Sequence, residues 1–325
     1  MTQQDSMQVT SPSPPTSTMT TPPRSTVIIA NPASGSYFLH VRQIEELVAF
    51  LRSAGWGVEL RLTKAAGDAR RIACEAVAEK ADVVIAAGGD GTINEIVQEL
   101  VGSETALGVL PLGTVNVWAR EMHIPLDIAG ARDVLMHGKT RKIDVGKVND
   151  RYFLLMVGIG FDAEVTHAVE KKPMKRLGIV GYLLTGFWMS LGYDSFAATL
   201  KFASREVKTR AVQIVIGNTQ LYGGAVKFTW QARCDDGLLD MCIVRKRSKL
   251  RRLLVLLDFL LHQERRRQWV SYETSDHIEI DTSKPIAMQV DGDPLGHTPA
   301  VFTIVPRALK VIVPQQTPQG LFSQP

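Results

Sequence analysis

The chain has 325 residues and a mass of 35.8 kDa, about two domains of sequence, so it can bury its cores without disulfides. Its 45% hydrophobic and 22% charged residues, with a mean hydropathy near zero, are typical of a soluble globular protein and exclude collagen-like, disordered and polytopic membrane chains. Three widely spaced cysteines without a CxxC motif indicate a reducing cytoplasm and argue against a cysteine-built metal site.

The net charge of +4 is unevenly distributed along the chain. Residues 245–267 carry nine basic and two acidic side chains around an apolar run, a local net charge of +7. This pattern favours peripheral contact with an anionic membrane surface over nucleic-acid binding. A half-buried helix with solvated ends is the alternative interpretation.

The first 25 residues contain five prolines and eleven Ser or Thr, which predicts a disordered tail over residues 1–25. They lack the basic start and apolar core of a secretory signal, so we expect a cytoplasmic protein. Residues 177–193 are uncharged but contain four glycines, and at 17 residues they are too short for a convincing membrane span.

From Thr26 onward, short β-branched runs alternate with segments of helical periodicity. The strands TVIIA, VELRLT, DVVIAA and LGVLP, with helices that include residues 67–80 and others from Thr92 and Val115, predict a parallel α/β domain over residues 26–141. Ligands of such sheets bind where the strands end and the helices begin.

After residue 141 short strands follow one another with few helices between them. This rhythm predicts an antiparallel β-sandwich over residues 142–314, interrupted by helices around 161–192 and 249–262 and followed by a tail over 315–325.

The strongest local motif is GGDGT, Gly88 to Thr92, directly after a buried strand and directly before a helix. Its glycines allow a sharp turn, and their N–H groups with the helix N-terminus suit phosphate oxygens. Because Asp90 would repel phosphate unless a cation lay between them, the motif implies Mg²⁺. The alternative is a plain strand-to-helix turn capped by Asp90 or Thr92.

Two further loops, NPASG at residues 31–35 and GTVN at 113–116, follow neighbouring strands and are expected to converge with GGDGT. A second glycine pattern, Gly158 to Ala163, fits G-x-G-x-x-A and leaves a dinucleotide site as an alternative, although no acidic residue follows about 20 positions on. The block VDGD, Val290 to Asp293, has the composition of a hairpin turn.

These blocks, in this order, resemble the diacylglycerol kinase and sphingosine kinase superfamily, and especially its soluble bacterial lipid kinases. The resemblance covers Thr26 to about Pro314 and continues through IDVGKVNDRYF, GIGFDAEV, YGGAVKF, DDGLLDMCIV and VDGDPL. It implies an N-terminal α/β domain that binds ATP, a C-terminal β-sandwich for a lipid substrate, and a cleft between the two.

The resemblance also assigns residues to the nucleotide and the metal. The residues implied to contact ATP are Asn31, Pro32, Ala33, Ser34, Gly35, Thr63, Gly88, Gly89, Asp90, Gly91, Thr92, Ile93, Asn94 and Thr114. Asp90 and Asp144 match magnesium-associated aspartates, but Val117 stands where the family has a third, so we expect a rearranged or partly water-filled metal network. A separate Mg²⁺ loop is implied by the Asp236 side chain with the Arg233 and Leu238 carbonyls; by composition alone this DDG is a turn.

On the acceptor side, the implied proton acceptor is Asp293, with Asp291 as the second choice. An aspartate here replaces the usual glutamate and shortens the reach by one methylene. Asp162 matches a position that holds the substrate head group, with a helix-capping role as the alternative.

The function implied is an ATP- and Mg²⁺-dependent lipid kinase that phosphorylates a primary hydroxyl of a diacylglycerol-like lipid, a sphingoid base or phosphatidylglycerol at a membrane surface. No nucleic-acid partner is expected, and a homodimer is left open. Two alternatives remain: a kinase of the NAD kinase type with a soluble acceptor, and a non-catalytic lipid- or ATP-binding regulatory protein of the same fold.

Overall fold

The computed structural model describes residues 24–35, 37–161, 163, 194–223, 226–245 and 270–323. The predicted helices around 161–192 and 249–262, the basic segment 245–267 except Arg245, and the apolar segment 177–193 lie outside the described residues. Among the helices within these ranges, none has the length and apolar character needed to cross a bilayer.

The N-terminal half is a parallel sheet with helices on both faces. Its strands, in the spatial order β4-β3-β1-β2, are β1 (Ser25–Ala30), β2 (Gly57–Leu62), β3 (Val83–Gly88) and β4 (Ala106–Pro111). The strands β3 and β4 are buried along their whole length, which explains their continuous apolar sequences. The direction of chain progress reverses between β1 and β3, so a topological switch point lies beside the loops that follow these two strands.

Five helices complete this half: α1 (Tyr37–Ser53), α2 (Asp68–Ala78), α3 (Asp90–Leu100), α4 (Val117–Glu121) and α5 (Ile128–His137). The helix α2 packs against α3, and α1 packs against α5. The helix predicted to start at Val115 is therefore two helices, because Pro125 interrupts the segment and Asp127 caps α5 by accepting a hydrogen bond from Gly130 N at 2.8 Å.

The C-terminal half is antiparallel, as predicted, and encloses a second core. Its strands are β5 (Lys139–Val148), β6 (Arg151–Phe153), β7 (Met156–Gly160), β8 (Phe196–Lys201), β9 (Glu206–Gly217), β10 (Leu221–Tyr222), β11 (Val226–Lys227), β12 (Leu239–Arg245), β13 (Val270–Ser275), β14 (His277–Thr282), β15 (Ala287–Val290), β16 (Asp293–His297) and β17 (Ala300–Val313). Phe153, Phe196 and Phe302 are buried at its centre. The alternative of a dinucleotide-binding turn does not match the structure, because Gly158 and Gly160 lie inside β7, paired antiparallel to β9 and, at Gly158, to β15.

The last strand joins the two halves. The beginning of β17 pairs with β14 and β5, and after a bulge between Val305 and Leu309 it pairs in parallel with β4 at Lys310 and Val311. One hydrogen-bonded sheet therefore runs through both halves. The predicted boundary at residues 141/142 falls inside β5, whose later part belongs with β6 and the second core.

The segment after β17, predicted as a tail, is docked on the protein as far as Ser323. Leu321 and Phe322 are buried, the Leu321 carbonyl accepts a hydrogen bond from Cys234 N at 2.9 Å, and Ser323 N donates to Asp235 at 2.6 Å. These contacts fix the position of the loop that contains Asp235.

Candidate active site

Three loops meet at the carboxyl edge of the parallel sheet, beside the switch point. Ser34 Oγ donates to the Leu112 carbonyl at 3.0 Å, and Asn31 Nδ2 donates to Thr92 Oγ1 at 3.3 Å. A Cβ added to Gly113 would lie 2.5 Å from Gly89 Cα, so the GGDGT and GTVN loops approach closely only because both positions are glycine. The structure therefore brings the predicted loops 31–35, 88–92 and 113–116 together.

The N-terminus of α3 is open on one side. Gly91 is exposed, and among the described residues no atom outside its chain neighbours and its own helix backbone lies within 4 Å of the place where its Cβ would be. Open space at a helix N-terminus beside glycine N–H groups suits an anionic ligand. Thr114 borders the same loops, since a Cβ on Gly35 would lie 3.2 Å from its Oγ1, and the amide of Thr63 is bonded to the Ala30 carbonyl at 2.9 Å.

Two residues predicted to contact ATP, Ile93 and Asn94, have buried side chains. Ile93 and Asn94 are each only 3% exposed and belong to the buried face of α3. The Asn94 Oδ1 accepts a hydrogen bond from Gln98 Nε2 at 3.0 Å. The helical period carries these side chains into the interior immediately after the exposed Gly91, so their side chains do not line the open space.

Asp90 is the first residue of α3, and its carboxylate caps another helix. Its two oxygens accept hydrogen bonds from Val117 N and Trp118 N, each at 3.0 Å, which are the first two amides of α4. Burial raises the pKa of Asp90, and these two amide donors partly offset the effect. Part of the capping alternative is therefore realised, on α4 rather than on α3.

Asp291 occupies the tip of the hairpin between β15 and β16. Asp291 and Gly292 have φ values of 48° and 94°, the pair of positive angles that a type I′ turn requires, and Val290 pairs with Asp293 across it. VDGD is therefore a hairpin turn, as its composition indicated, and it joins β15 to β16. The Asp291 carboxylate accepts hydrogen bonds from the three consecutive amides of residues 154–156 at 2.8 to 3.0 Å.

The electrostatics of Asp291 link the two halves of the molecule. Burial raises its pKa to about 7, and the negative charge of Asp90 adds to the increase. The GGDGT loop of the first half and the VDGD hairpin of the second also approach each other through α3, since Gln98 on this helix is hydrogen-bonded to Tyr152, two residues before the first amide that binds Asp291.

Asp293 is held differently, by a side chain. Its Oδ2 accepts a hydrogen bond from Arg151 Nη2 at 3.0 Å, and the two side chains are 45% and 33% exposed. Neither side chain is sequestered, so the Asp293 carboxylate can be reached from solvent.

Asp144 lies with the DDG loop, and its hydrogen bonds within the described part of the chain go to other partners than Asp90. One Asp144 oxygen accepts from Gly237 N at 2.6 Å and the other from Arg307 N at 2.7 Å. That Asp90 and Asp144 both associate with magnesium stays a prediction; in the structure each carboxylate is bonded to a different backbone segment.

The DDG loop itself concentrates negative charge. Burial, and then Asp144, raises the pKa of Asp236; burial, and then Asp236, raises that of Asp240 to about 7. Within the described residues no three His, Cys, Asp or Glu side chains are arranged to hold a metal ion. The predicted ligand set needs only one carboxylate, Asp236, with the Arg233 and Leu238 carbonyls, and crowded carboxylates fit a divalent cation.

Asp162, the predicted head-group contact, lies outside the described residues. Conversely, several residues that hold the site together were not predicted: Gln98, Glu121, Arg151 and Asn218. Asn218 is fully buried and donates to the carbonyls of Asp144 and Leu154, at 2.9 and 3.2 Å. Of these four residues, only Asn218 had a signal in the sequence, because it is an asparagine at the end of an apolar strand.

Comparisons with known proteins identify the class. The diacylglycerol kinase catalytic domain model matches residues 25–148, and the YegS C-terminal NAD kinase beta sandwich-like domain model matches residues 155–313. Diacylglycerol kinases of Staphylococcus aureus, strains JH9 and Newman, are 33% identical over 291 residues, 88% of this chain and 91% of theirs. The crystal structure of a diacylglycerol kinase from Bacillus anthracis str. Sterne is 26% identical with a TM-score of 0.76, covering 90% of this chain and 98% of that one.

The chain therefore belongs to the diacylglycerol kinase family. The predicted superfamily and the predicted two-part fold, parallel α/β followed by an antiparallel β-sandwich, are confirmed. A kinase of the lipid-kinase class follows from the family, and the individual roles of the site residues stay predictions.

Proposed function

We propose that the protein transfers the γ-phosphate of ATP to a primary hydroxyl of a membrane lipid. The observation that carries the proposal is the proximity of two Asp-Gly turns: GGDGT at the switch point of the parallel sheet, and VDGD from the antiparallel half, whose Asp291 is bound by amides directly after β6, the strand that Gln98 of α3 contacts. The first suits a polyphosphate, and the second supplies carboxylates.

The nucleotide belongs at the three converging loops. Their glycines allow the backbone to approach phosphate closely, and the N-terminus of α3 adds a favourable dipole. Asn31, Ser34 and Thr92 fix the relative positions of these loops by hydrogen bonds. A site fixed before the ligand arrives loses less entropy on binding.

We assign magnesium to two places where a carboxylate is available to bind it. Asp90 faces the phosphate loops, and Asp236, with the Arg233 and Leu238 carbonyls, forms the second set. The ion at Asp90 would neutralise phosphate charge during transfer. Because the Asp90 oxygens also accept from α4, this residue links metal binding to the position of that helix.

The acceptor hydroxyl is assigned to Asp293. Phosphoryl transfer needs a carboxylate that orients the hydroxyl and takes its proton, and this carboxylate must reach the substrate. Asp293 is accessible, whereas three backbone amides bind Asp291. We therefore assign proton acceptance to Asp293 and give Asp291 the task of holding the turn.

The test is transfer of radiolabelled phosphate from γ-labelled ATP with Mg²⁺ to mixed vesicles. The panel contains vesicles with diacylglycerol, with a sphingoid base and with phosphatidylglycerol, and NAD serves as a soluble acceptor. Mass spectrometry identifies the product. We expect label in a vesicle lipid and loss of transfer when EDTA removes the metal. Label in NAD alone, or ATP binding without transfer to any lipid, would overturn the proposal.

A further inference from the structure

Gln98 joins α3, the helix that begins in the GGDGT motif, to the second half of the molecule. Gln98, on α3, donates from Nε2 to the Tyr152 carbonyl and accepts at Oε1 from Tyr152 N, both at 3.0 Å. The same Nε2 lies 3.0 Å from Asn94 Oδ1, which orients the carboxamide. Gln98 thus pairs with β6 as a neighbouring strand would.

The helix α3 forms a rigid link between Asp90 and Gln98. Asp90 is the first residue of α3 and Gln98 lies eight residues later, so the helix separates them by about 12 Å. Each end is bonded to another segment: Asp90 to the start of α4, and Gln98 to β6. A displacement of β6 would therefore have to move α3 or break both hydrogen bonds to Tyr152.

The neighbour of Tyr152 in β6 is the residue that holds the candidate base. Arg151 precedes Tyr152 and pairs with Asp293 at 3.0 Å. The order of contacts runs from Asp90 through α3 to Gln98, then through β6 to Arg151 and Asp293. It connects the candidate phosphate end of the cleft to its candidate acceptor end by hydrogen bonds and one helix.

We propose that Gln98 and Arg151 are positioning residues that set the place of Asp293 relative to the phosphate loops. The proposal rests on the proposed function. Phosphoryl transfer depends strongly on alignment, and a base about 1 Å out of place can cost up to about 100-fold in rate. Both residues act through Asp293 and neither needs to touch the substrate.

The ion pair between Arg151 and Asp293 is expected to contribute little to the stability of the fold. Exposed ion pairs contribute little to stability, commonly less than about 1 kcal/mol, and both partners here are at least one-third exposed. β6 is three residues long and pairs with β5, so one side-chain contact on its other side has a large influence on its position.

The experiment measures steady-state kinetics of Arg151→Met, Gln98→Met and the double variant on the vesicle lipid that the wild type phosphorylates. We expect kcat to fall about tenfold with KM for ATP within about twofold, because the nucleotide loops are unchanged. Since both residues act on one segment, the double variant should lose little more than the worse single one. Arg151→Lys, which keeps the charge, should recover part of the rate.

Matched controls separate an effect on the position of Asp293 from a general loss of folded structure. Arg205→Met removes a half-exposed pair with Glu273 in the same half, and Gln43→Met removes an exposed contact with His40 on α1. Both should keep the wild-type kcat, and all variants are compared by thermal melting. In an Asp293→Ala background, Arg151→Met should cause no further loss.

The outcomes are distinct. An unchanged kcat in Arg151→Met or in Gln98→Met, or a further loss beside Asp293→Ala, would overturn the positioning roles while the lipid kinase activity stands. A wild-type protein that phosphorylates no lipid would overturn the proposed function itself, and the positioning roles with it.

Discussion

The two Asp-Gly turns, GGDGT and VDGD, hold their carboxylates in different ways. Asp90 and Asp291 are bound by backbone amides, two for Asp90 and three for Asp291, and burial raises the pKa of both. Asp293, two residues from Asp291, is bound by one exposed arginine. Amide-bound carboxylates are fixed to the fold, whereas an arginine-bound one can exchange its partner for a substrate.

This comparison predicts its largest effect at Asp90. Asp90→Ala removes both the candidate metal contact and the cap of α4, so we expect a loss of about 1000-fold in kcat/KM for lipid phosphorylation. The free energy of unfolding should fall by about 1–2 kcal/mol from the lost cap. Kinetics and urea unfolding measure the two effects, and a variant with full activity would contradict the assignment.

The neighbouring aspartates should separate activity from stability. Asp293→Ala should lower kcat by about 100-fold or more without changing the melting temperature, because it loses only an exposed ion pair. Asp291→Ala leaves three backbone amides without an acceptor and should cost about 3 kcal/mol of unfolding free energy. Calorimetry beside the kinetic assay tests this. If Asp291→Ala were stable and lowered kcat more than Asp293→Ala does, Asp291 would be the proton acceptor and Asp293 would not.

Two glycines offer a sharper test of where phosphate approaches. The new methyl group of Gly91→Ala meets no side chain in the part of the chain that the structure describes, so the variant should leave the melting temperature unchanged or slightly raised and increase KM for ATP about tenfold. Gly113→Ala would push against Gly89 and should lower stability as well. If Gly91→Ala leaves KM for ATP unchanged, phosphate does not bind at the start of α3.

The last prediction concerns stability alone, at another amide-bound carboxylate. Glu121, at the end of α4, accepts from Gln220 N at 2.7 Å, and burial raises its pKa from 4.5 to about 7. A raised pKa means that its stabilising contribution is present below pH 4.5 and is lost as pH rises through about 7. Relative to Glu121→Gln, the wild type should lose up to about 3 kcal/mol of unfolding free energy between pH 4.5 and 8. Unfolding titrations across this range measure the difference, and parallel curves would contradict it.

The parts that sequence could predict are those that depend on neighbouring residues. β-branched runs placed β1, β3 and β4, and the geometry of parallel strands implied that the loops after them would meet. The break between α4 and α5 also had a local signal, Pro125 followed by the capping Asp127, which the helical periodicity outweighed.

The remaining features depend on residues far apart in the chain. Arg151 and Asp293 are separated by 142 positions, and Asp90 and Trp118 by 28, so no local pattern indicates either contact. Motif matching also placed Ile93 and Asn94 with the ligand, although their helical phase directs them inward. A motif match also carries no information about which loop the Asp144 carboxylate is bonded to.

The return of β17 to β4 has a consequence for how the protein is made. Until residues 307–313 leave the ribosome, β4 is an unprotected sheet edge, and such edges recruit other chains. The N-terminal half therefore cannot complete its sheet until β17 has been synthesised. Fragments that stop near residue 148 are therefore expected to aggregate, and a separately expressed N-terminal half should regain solubility only when the last strand is supplied in trans.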